Sequence, residues 1–351
     1  MRILVTGGAG FIGQHLARLL RDEHELTALD LLLPQVHLDP QVSRGAFPGE
    51  VIVADAADPA TWDGIPAPDL LIHLAAETGT GQSMYEADRY RRTNIEGTRL
   101  AGDAAAHWGV PLISMSSRAV YGEGRYECPK HCITFGGPCC DLAVPAASRE
   151  TDQHRPVSVY GETKSAAEAA LAAVAPLVPV TVIRPQNVVG PGQALHNPYT
   201  GVLAAFLARL REGRSLLVYG DGTATRDIVH VEDLASLVEW CALTPAPVGE
   251  ARVLNCGTGV RTTLDQLAAA AAEGSPAGTA AIEHVAVHRA GDIDHACADL
   301  GRIRSLGAPL PRRTSHEAIV DFVRRSWDMP GAASQAWSAA LDELGERGLA
   351  T

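Results

Sequence analysis

The chain has 351 residues, of which 46% are hydrophobic and 20% are charged, and its mean hydropathy is +0.02. This composition excludes a disordered chain and provides enough apolar residues for one large α/β unit or two domains. The net charge is −12, with 41 acidic residues against 29 basic ones. Because the basic residues are dispersed, we expect no nucleic-acid partner, although a local arginine pocket would still bind a small anion.

No segment has the ~18–20 uninterrupted apolar residues that a membrane span requires. The longest apolar stretch, residues 169–183, is interrupted by Pro176 and Pro179. The first residues enter a β-rich run directly, without the charged, apolar and cleavable segments of a secretory leader. We therefore expect a cytoplasmic protein with no membrane partner, whose seven cysteines are reduced.

The first half of the chain alternates short β-rich runs with helical patterns, which predicts an α/β fold with a doubly wound parallel sheet and helices on both faces. The predicted strands cover residues 3–5, 26–29, 51–54, 70–74, 112–115 and 180–183. The predicted helices cover residues 11–22, 87–107 and 159–173.

The first strand leads into a glycine-rich turn and the start of a helix. Gly7, Gly10 and Gly13 allow a tight turn, close approach of the backbone to a pyrophosphate, and close packing of the helix on the strand. The helix start at Phe11 and Ile12 presents free amides and the positive end of the helix dipole to a phosphate. The arrangement predicts a dinucleotide site on a Rossmann fold.

Two acidic residues end the next strands. Asp30 is placed where a carboxylate accepts hydrogen bonds from the ribose of an adenosine and repels a 2′-phosphate, unless it only caps the turn before Pro34. Asp55 either meets the adenine amino group or is a turn residue. The pattern predicts NAD rather than NADP as the cofactor.

The sequence divides into three regions. Residues 1–185 are predicted to form the NAD-binding Rossmann domain, with a cysteine-containing insert at about 123–150. Residues 186–326, which include predicted strands at 216–219 and 253–255, are predicted to form a smaller α/β substrate-binding cap, and the chain is free to cross back to the first lobe. Residues 327–351 are predicted to be an appended helical tail with a loose end.

Tyr160 and Lys164 are four residues apart in a predicted helix and therefore lie on one face. A free phenol, with a pKa near ~10, is a poor base at neutral pH, but a nearby ammonium and an oxidised nicotinamide both stabilise the phenolate. The pair suits removal of a proton from an alcohol whose carbon loses hydride. Ser117, at the end of a predicted strand, either relays that proton or belongs to a serine-rich turn that satisfies its own backbone.

Five segments together resemble the extended short-chain dehydrogenase/reductases, specifically the NAD-dependent nucleotide-sugar epimerase/dehydratase family, from residue 1 to about 325. They are residues 6–13 (TGGAGFIG), 73–76 (HLAA), 94–98 (NIEGT), the segment at Ser117, and Tyr160-x-x-x-Lys164. Residues 77–85, 117–124 and 192–202 are similar to dTDP-L-rhamnose 4-epimerase-like sequences, and the group includes UDP-glucose 4-epimerase-like sequences.

The resemblance implies that Tyr160 is the catalytic base, that Lys164 holds the nicotinamide ribose and tunes Tyr160, and that Ser117 relays the proton. In dehydratase and decarboxylase relatives an acidic residue follows the serine or threonine within two positions. Here those positions hold Arg118 and Ala119, which favours epimerisation over dehydration. The resemblance also assigns Leu74, Ala75, Ala76, Asn94, Tyr160 and Lys164 to the cofactor site.

A nucleoside-diphosphate sugar is the implied substrate. The resemblance assigns Asn187, Arg226 and Arg289 to its diphosphate, Asp292 to its ribose, and Thr80, Ser83 and Ser117 to its hexose. Without the resemblance, Arg226 with Asp227 and Arg289 with Asp292 would be interpreted as weak surface ion pairs. The helices predicted at 87–107 and 159–173 would pair with their copies as a four-helix homodimer interface.

These assignments predict an NAD-dependent 4-epimerase of a dTDP- or UDP-hexose that works through a transient 4-keto sugar. One alternative is an NAD(P)H-dependent reductase of a nucleotide 4-ketosugar, which would use the same three residues. A further alternative is a non-catalytic dinucleotide-binding scaffold protein, against which the complete catalytic trio argues.

The insert contains a group of cysteines with one histidine: Cys128, His131, Cys132, Cys139 and Cys140. The spacing of the first pair resembles a zinc knuckle, which needs four nitrogen or sulfur ligands. Adjacent cysteines are a poor spacing for chelating one metal. We therefore predict no metal site, and instead a flexible, reduced lid segment over the substrate.

Overall fold

The computed structural model describes residues 1–350, except for the side chain of Cys132. Its strands are β1 (Arg2–Thr6), β2 (Glu25–Asp30), β3 (Glu50–Val53), β4 (Leu70–His73), β5 (Leu112–Met115), β6 (Arg125–Cys128), β7 (Cys132–Phe135), β8 (Val144–Pro145), β9 (Val180–Pro185), β10 (Asn187–Val189), β11 (Leu216–Tyr219), β12 (Thr225–Arg226), β13 (Ile228–His230), β14 (Arg252–Cys256), β15 (Thr262–Thr263) and β16 (Ile282–Val285).

The helices are α1 (Phe11–Leu20), α2 (Pro40–Ala46), α3 (Pro59–Asp63), α4 (Thr80–Ser83), α5 (Ala87–Tyr90), α6 (Gly97–Trp108), α7 (Val159–Val174), α8 (Val202–Arg211), α9 (Val231–Leu243), α10 (Leu264–Gly274), α11 (Gly301–Ser305), α12 (Ser315–Ser326) and α13 (Ser334–Glu346). A π-helical turn, Arg91–Glu96, joins α5 to α6, and a 3-10 helix, Arg118–Tyr121, follows β5. Among residues 1–350, no helix combines the length and the apolar character needed to cross a membrane.

A seven-stranded parallel sheet in the order β14–β9–β5–β4–β1–β2–β3 forms the main lobe. Side chains alternate across a strand, so Ile3 and Val5 face one side of the sheet and Leu4 faces the other. The first side is covered by α1 and α9 through Leu16 and Leu234. The second side is covered by residues of α6 and α7. The predicted Rossmann sheet with helices on both faces is confirmed.

The seventh strand corrects the assignment of residues 253–255 to the cap. β14 pairs with β9 in parallel, with Leu254 opposite Ile183, at the edge of the main sheet. Leu254 is fully buried, and α9, which precedes the strand, packs on α1. The chain therefore leaves the main lobe after β9 and returns to it, because both elements bury their apolar side chains against the main sheet.

The smaller lobe consists of short strand pairs with α8, α10 and α12 around a separate apolar core that contains Phe206, Leu267 and Phe322. The tail does not have the loose end that we predicted. Trp337 of α13 packs against this core, and Leu344 is buried. Beyond the helix, the carbonyl of Leu349 accepts a hydrogen bond from the amide of Ala290 at 2.8 Å.

A buried ion pair fixes α7 against β9. Arg184 donates from Nε to Glu168 Oε1 at 2.9 Å and from a terminal nitrogen to Oε2 at 2.6 Å. Arg184 also donates to the Tyr121 hydroxyl at 2.8 Å, and Tyr121 donates to Asn255 of β14 at 2.7 Å. Ser116, after β5, donates to the same carboxylate. Since α7, β9, β14 and the end of β5 share this network, one residue change affects all four.

Replacement of Glu168 by alanine is expected to lower the free energy of unfolding by about 3–5 kcal/mol, because it leaves the guanidinium of Arg184 buried without its partner. Urea unfolding followed by circular dichroism measures the change. The control is Asp88→Ala, which removes an exposed pair with Arg91 and should change stability by less than about 1 kcal/mol. Equal effects of the two substitutions would contradict the importance of the buried pair.

Candidate active site

The glycine turn between β1 and α1 fits a dinucleotide phosphate. Gly7 has φ +67°, and a Cβ there would lie 2.8 Å from the amide nitrogen of Ala75. A Cβ at Gly13 would overlap the carbonyl oxygen of Gly8, so this glycine allows α1 to pack closely on the turn. Gly10 is the N-cap of α1 and provides no side-chain cap, so the first amides, at Phe11 and Ile12, stay available to an anion.

Asp30 lies at the carboxyl end of β2 and faces the glycine turn. Its carboxylate accepts hydrogen bonds from the amides of Ala9 at 3.0 Å and Leu32 at 2.9 Å. The imidazole of His37 lies 3.3 Å from Oδ1, and both side chains are buried. A carboxylate held here is placed to meet ribose hydroxyls beside the phosphate turn.

Asp55 after β3 is engaged with the protein itself. One oxygen accepts from the amide of Ala57 at 2.8 Å, and the other accepts from Arg92 at 2.6 Å. Of the two roles left open for Asp55, the structure shows the turn contact. Leu74, Ala75 and Ala76 follow β4 as half-buried residues, and Ala75 donates from its amide to Thr6 Oγ1 at 3.2 Å.

Helix α7 begins at the site. Ser158 caps it by accepting from the amide of Gly161 at 3.2 Å. Ser83 accepts from the amide of Tyr160 at 3.0 Å and donates to the carbonyl of Thr80 at 2.6 Å. Ser83 is fully buried. This side chain therefore positions the start of α7, and its predicted contact with the hexose stays a prediction.

The Tyr160 phenol lies in an apolar setting with polar groups at its oxygen. Burial raises its pKa, while hydrogen bonding with Ser117 and the charge of Arg118 act in the opposite direction. The ring of Tyr90 packs edge-on against the Tyr160 ring, with 6.4 Å between centroids. Tyr90 is itself fixed, since its hydroxyl donates to the carbonyl of Thr78 at 2.5 Å.

Lys164 lies one turn further along α7 and is buried. Its ammonium donates to the carbonyl of Met115, at the end of β5, at 2.9 Å. Burial lowers the pKa of Lys164 to about 8, against the opposing charge of Glu168. Nearby His73 is kept neutral, because burial and Lys164 lower its pKa to about 3.

Asn94 lies in the π-helical turn and is fully buried. Its Oδ1 accepts from the amide of Glu77 at 2.8 Å, and its Nδ2 donates to Thr163 Oγ1 of α7 at 3.0 Å. Asn94 thus connects the loop after β4 to the helix that carries Tyr160. π-Helical turns are frequent at functional sites, and this one places the amide between two parts of the site.

Ser117 is buried and caps the short 3-10 helix, with Oγ accepting from the amide of Ala119 at 3.1 Å. Arg118 follows it and lines the adjoining cavity. Burial and the charge of Arg226 lower the pKa of Arg118 to about 10, so that it stays a cation at neutral pH. A hydroxyl, a phenol and two cations therefore converge at the carboxyl end of β5.

The cavity between the lobes is lined by most of the predicted substrate residues. They are Thr80, Asn187, Arg226, Arg289 and Asp292. Arg289 donates to both oxygens of Asp292, at 3.0 and 3.2 Å, and lies over the ring of Tyr219. Asp227, in contrast, does not pair with Arg226: its buried carboxylate accepts from backbone amides, such as that of Thr258 at 2.7 Å.

Several polar atoms in the cavity wall have no partner within residues 1–350. Asn187 Oδ1, Gln193 Oε1 and Trp337 Nε1 are buried and make no hydrogen bond with the described residues. All three residues line the cavity, as do Leu341 and Leu344 of α13. Buried polar atoms are nearly always satisfied, so each of these atoms leaves a hydrogen bond for a ligand or an ordered water to make. The tail helix forms part of the wall of this cavity.

Sequence reasoning missed four residues of the site. Tyr90 supports Tyr160, Gln193 and Trp337 line the cavity, and His37 contacts Asp30. Gln193 lies in a segment that carries the family resemblance, so the signal was present there. The other three give no local pattern, because their contacts join segments that are distant along the chain.

Residues 3–257 match the NAD dependent epimerase/dehydratase family. A dTDP-L-rhamnose 4-epimerase of Burkholderia thailandensis is 36% identical over 324 residues, covering 85% of this chain and 87% of that protein. A UDP-glucose 4-epimerase of Mycolicibacterium smegmatis is 32% identical over 340 residues, covering 92% and 99%. Dehydratases and a decarboxylase are also similar to the chain.

Solved structures of 4-epimerases have a fold similar to that of this chain. The structure of Thermus thermophilus UDP-glucose 4-epimerase in complex with NAD has a TM-score of 0.76 and 26% identity, covering 94% of this chain and 100% of that one. The resemblance inferred from the sequence motifs is confirmed, as is NAD as the cofactor. The chain is an enzyme of the NAD-dependent epimerase/dehydratase family within the extended short-chain dehydrogenase/reductases.

Proposed function

We propose that the protein is a 4-epimerase of a nucleoside-diphosphate hexose. The observation that carries the proposal is the convergence of Ser117, Tyr160 and Lys164 beside a cavity lined by four arginines, Arg118, Arg209, Arg226 and Arg289. Arginine binds phosphate oxygens in a planar, bidentate manner, and such a cluster suits a diphosphate in a protein whose net charge is −12.

Proton transfer would be carried out by the side chains at the end of β5. The proton of the C4 hydroxyl passes through Ser117 to the Tyr160 phenolate and returns by the same route after the 4-keto sugar has turned in the site. Lys164 supplies positive charge and is placed to hold the nicotinamide ribose. Bound NAD⁺ would supply reversible hydride acceptance at C4, so no second substrate would be consumed.

Epimerisation is favoured over dehydration by the residues that follow Ser117. Elimination of water requires an acid near the leaving hydroxyl, and in dehydratase relatives it follows the serine or threonine within two positions. Arg118 and Ala119 occupy those positions, and the pKa of Arg118 is about 10. A guanidinium is a much weaker acid than a carboxylic acid and is therefore a poor proton donor to a leaving hydroxyl.

The relatives suggest two substrates to compare. The names of the two 4-epimerases above specify dTDP-L-rhamnose and UDP-glucose. The cavity lining supports a diphosphate at Asn187, Arg226 and Arg289, a ribose at Asp292, and a hexose beside Thr80. Ser117 itself does not line the cavity, although its neighbour Arg118 does. None of these contacts distinguishes the thymine of a dTDP-sugar from the uracil of a UDP-sugar.

We further propose a cytoplasmic homodimer that buries the outer faces of α6 and α7. Ala169, Ala172 and Ala173 are exposed on α7. Small side chains let two helices approach closely, and α6 packs beside α7 to complete one half of a four-helix interface. No residue of the proposed chemistry depends on this contact.

Incubation of the purified protein in D₂O with dTDP-L-rhamnose, UDP-glucose or UDP-glucuronate, without added cofactor, should convert one of them to its C4 epimer. Because hydride returns internally, proton NMR should show no deuterium at carbon. Tyr160→Phe should lower kcat by about 10²–10⁴-fold, since it removes the proton acceptor.

A Tyr160→Phe variant with full activity would contradict the mechanism. Conversion of a 4-keto sugar with consumption of NADH, with no epimerisation of any of the three sugars, would instead support the reductase.

Arg118 should affect the pH dependence of the reaction. Its charge lowers the pKa of Tyr160, so Arg118→Met should raise that pKa and move the acidic limb of the kcat/KM profile to higher pH. Arg118→Lys, which keeps a positive charge, should move it less. Arg226→Met is the control, because Arg226 lines the cavity without acting on Tyr160: it should raise KM and leave the limb in place. Identical profiles for the two methionine variants would refute this role.

Trp337 should contribute to substrate binding through the cavity wall. Trp337→Ala is expected to raise KM for the nucleotide sugar about tenfold, equivalent to about 1.4 kcal/mol. Trp337→Phe keeps an aromatic wall and removes the unpartnered Nε1–H, which separates packing from hydrogen bonding. Gln335→Ala, an exposed change on the same helix, is the matched control. An unchanged KM in both Trp337 variants would show that α13 does not contact the substrate.

A further inference from the structure

The insert between Ser117 and Tyr160 brings four potential metal ligands together. Cys128 ends β6, His131 lies in the turn to β7, and Cys139 and Cys140 follow from the loop after β7. One ligand atom from each residue lies within 4.8 Å of all the others. The side chain of Cys132, the remaining candidate, lies outside the described residues.

The separations match the edges of a metal-centred tetrahedron. With Zn–S near ~2.3 Å and Zn–N near ~2.0–2.1 Å, tetrahedral geometry requires about 3.8 Å between two sulfurs and about 3.5 Å between sulfur and nitrogen. The Sγ atoms of Cys128 and Cys140 are 3.6 Å apart, and those of Cys139 and Cys140 are 4.0 Å apart. His131 Nδ1 lies 3.5, 3.3 and 4.0 Å from the sulfurs of Cys128, Cys139 and Cys140.

These distances show that the adjacency of Cys139 and Cys140 does not prevent both from binding one metal. The adjacent cysteines were expected to be unable to share one metal, yet their sulfurs are separated by the length of a tetrahedral edge. The sulfurs are also too far apart to be bonded, since a disulfide requires about 2.05 Å. Cys128, Cys139 and Cys140 are free thiols in the structure.

The insert has no apolar interior of its own. Among residues 129–147, leaving aside the side chain of Cys132, not one is buried. Ile133 and Leu142 are 44% and 50% exposed. A short segment of this kind needs a cross-link, a metal or a partner to hold one conformation.

We propose that Cys128, His131, Cys139 and Cys140 bind one Zn²⁺ as a structural site. Four protein ligands fill the tetrahedral shell and leave no position for water or substrate, which distinguishes this site from a catalytic one. Three thiolates with one imidazole are a ligand set that suits Zn²⁺ better than Mg²⁺ or Ca²⁺. This site replaces the metal-free flexible lid that we predicted from the sequence.

The site would stabilise a segment joined to the substrate cavity. Glu123, just before β6, accepts from the amide of Asp294 at 2.7 Å, and the amide of Ser148, just after β8, donates to the carbonyl of Cys297 at 2.9 Å. Asp292, which lines the cavity, belongs to the same loop. Loss of zinc should therefore raise KM for a cavity ligand more than it lowers kcat.

Metal analysis by mass spectrometry tests the proposal without reference to activity. Protein purified under reducing conditions, without chelators, from zinc-supplemented cells should contain one equivalent of zinc per chain. Cys139→Ser/Cys140→Ser and His131→Ala should lose it, and His107→Ala, which removes an exposed histidine on α6, should keep it. Reduced apoprotein titrated with Co²⁺ should develop the charge-transfer and d–d absorption of a tetrahedral thiolate site.

Wild-type protein that contains no zinc and does not bind Zn²⁺ or Co²⁺ when reduced would overturn the proposal. So would equal metal contents in His131→Ala and His107→Ala.

Proteolysis tests whether the metal holds the insert. The sequence contains two lysines: Lys164 is buried, and Lys130 is exposed in the turn between two proposed ligands. A lysine-specific protease should cut at Lys130 at least tenfold faster after zinc has been removed. The His131→Ala variant should be cut at the faster rate with or without zinc. Cleavage at one rate in zinc-loaded and zinc-free wild type would contradict this role.

Discussion

The buried ion pair between Glu168 and Arg184 is the constraint on which the active site depends. Two buried charges are stable only when each fully satisfies the other, so the pair fixes the register of α7 on β9. Lys164 lies one turn before Glu168 on the same helix, and Tyr160 lies one turn before that. The hydrogen bonds that join Ser116 and Tyr121 to this pair fix the end of β5 as well. The positions of the phenol, the ammonium and the Ser117 hydroxyl therefore follow from a single packing arrangement.

Burial shifts the pKa values of Tyr160 and Lys164 in opposite directions. It raises the pKa of the phenol and lowers that of the ammonium to about 8, so it favours the neutral form of both. A base that is neutral until substrate and oxidised cofactor arrive does not react in the free enzyme. The charge of Arg118 lowers the pKa of Tyr160, and a bound oxidised nicotinamide would add positive charge in the same direction. The positive charge of the pocket lowers the pKa of Tyr160, whereas burial raises it. A small change in either should therefore alter the rate of the reaction.

The sequence predicted those parts of the protein whose signals are local. The glycine turn, six strands of the main sheet and the i, i+4 spacing of Tyr160 and Lys164 all depend on neighbouring residues. Three features depend on contacts between distant segments: the return of β14 to the main sheet, the packing of α13 on the cavity, and the position of Ser83 under α7. The cysteine cluster was predicted only in part. The sequence shows its residues, but it does not show the β6–β7 hairpin that brings their side chains together. Adjacency along the chain does not by itself exclude a shared metal, since the side chains of neighbouring residues can lie a tetrahedral edge apart.

On the proposed function, one site has to act on both faces of a sugar. Binding energy from parts of a substrate that do not react can hold the ligand while the reacting part stays free to move. On the proposed function, Arg226, Arg289 and Asn187 would contact the diphosphate, and α13 lines the wall of the same cavity. On this proposal the hexose between Thr80 and Ser117 is held mainly through its diphosphate. A ring held there only through its diphosphate is able to turn and present either face to a fixed hydride acceptor, whereas a ring bound on every hydroxyl is not.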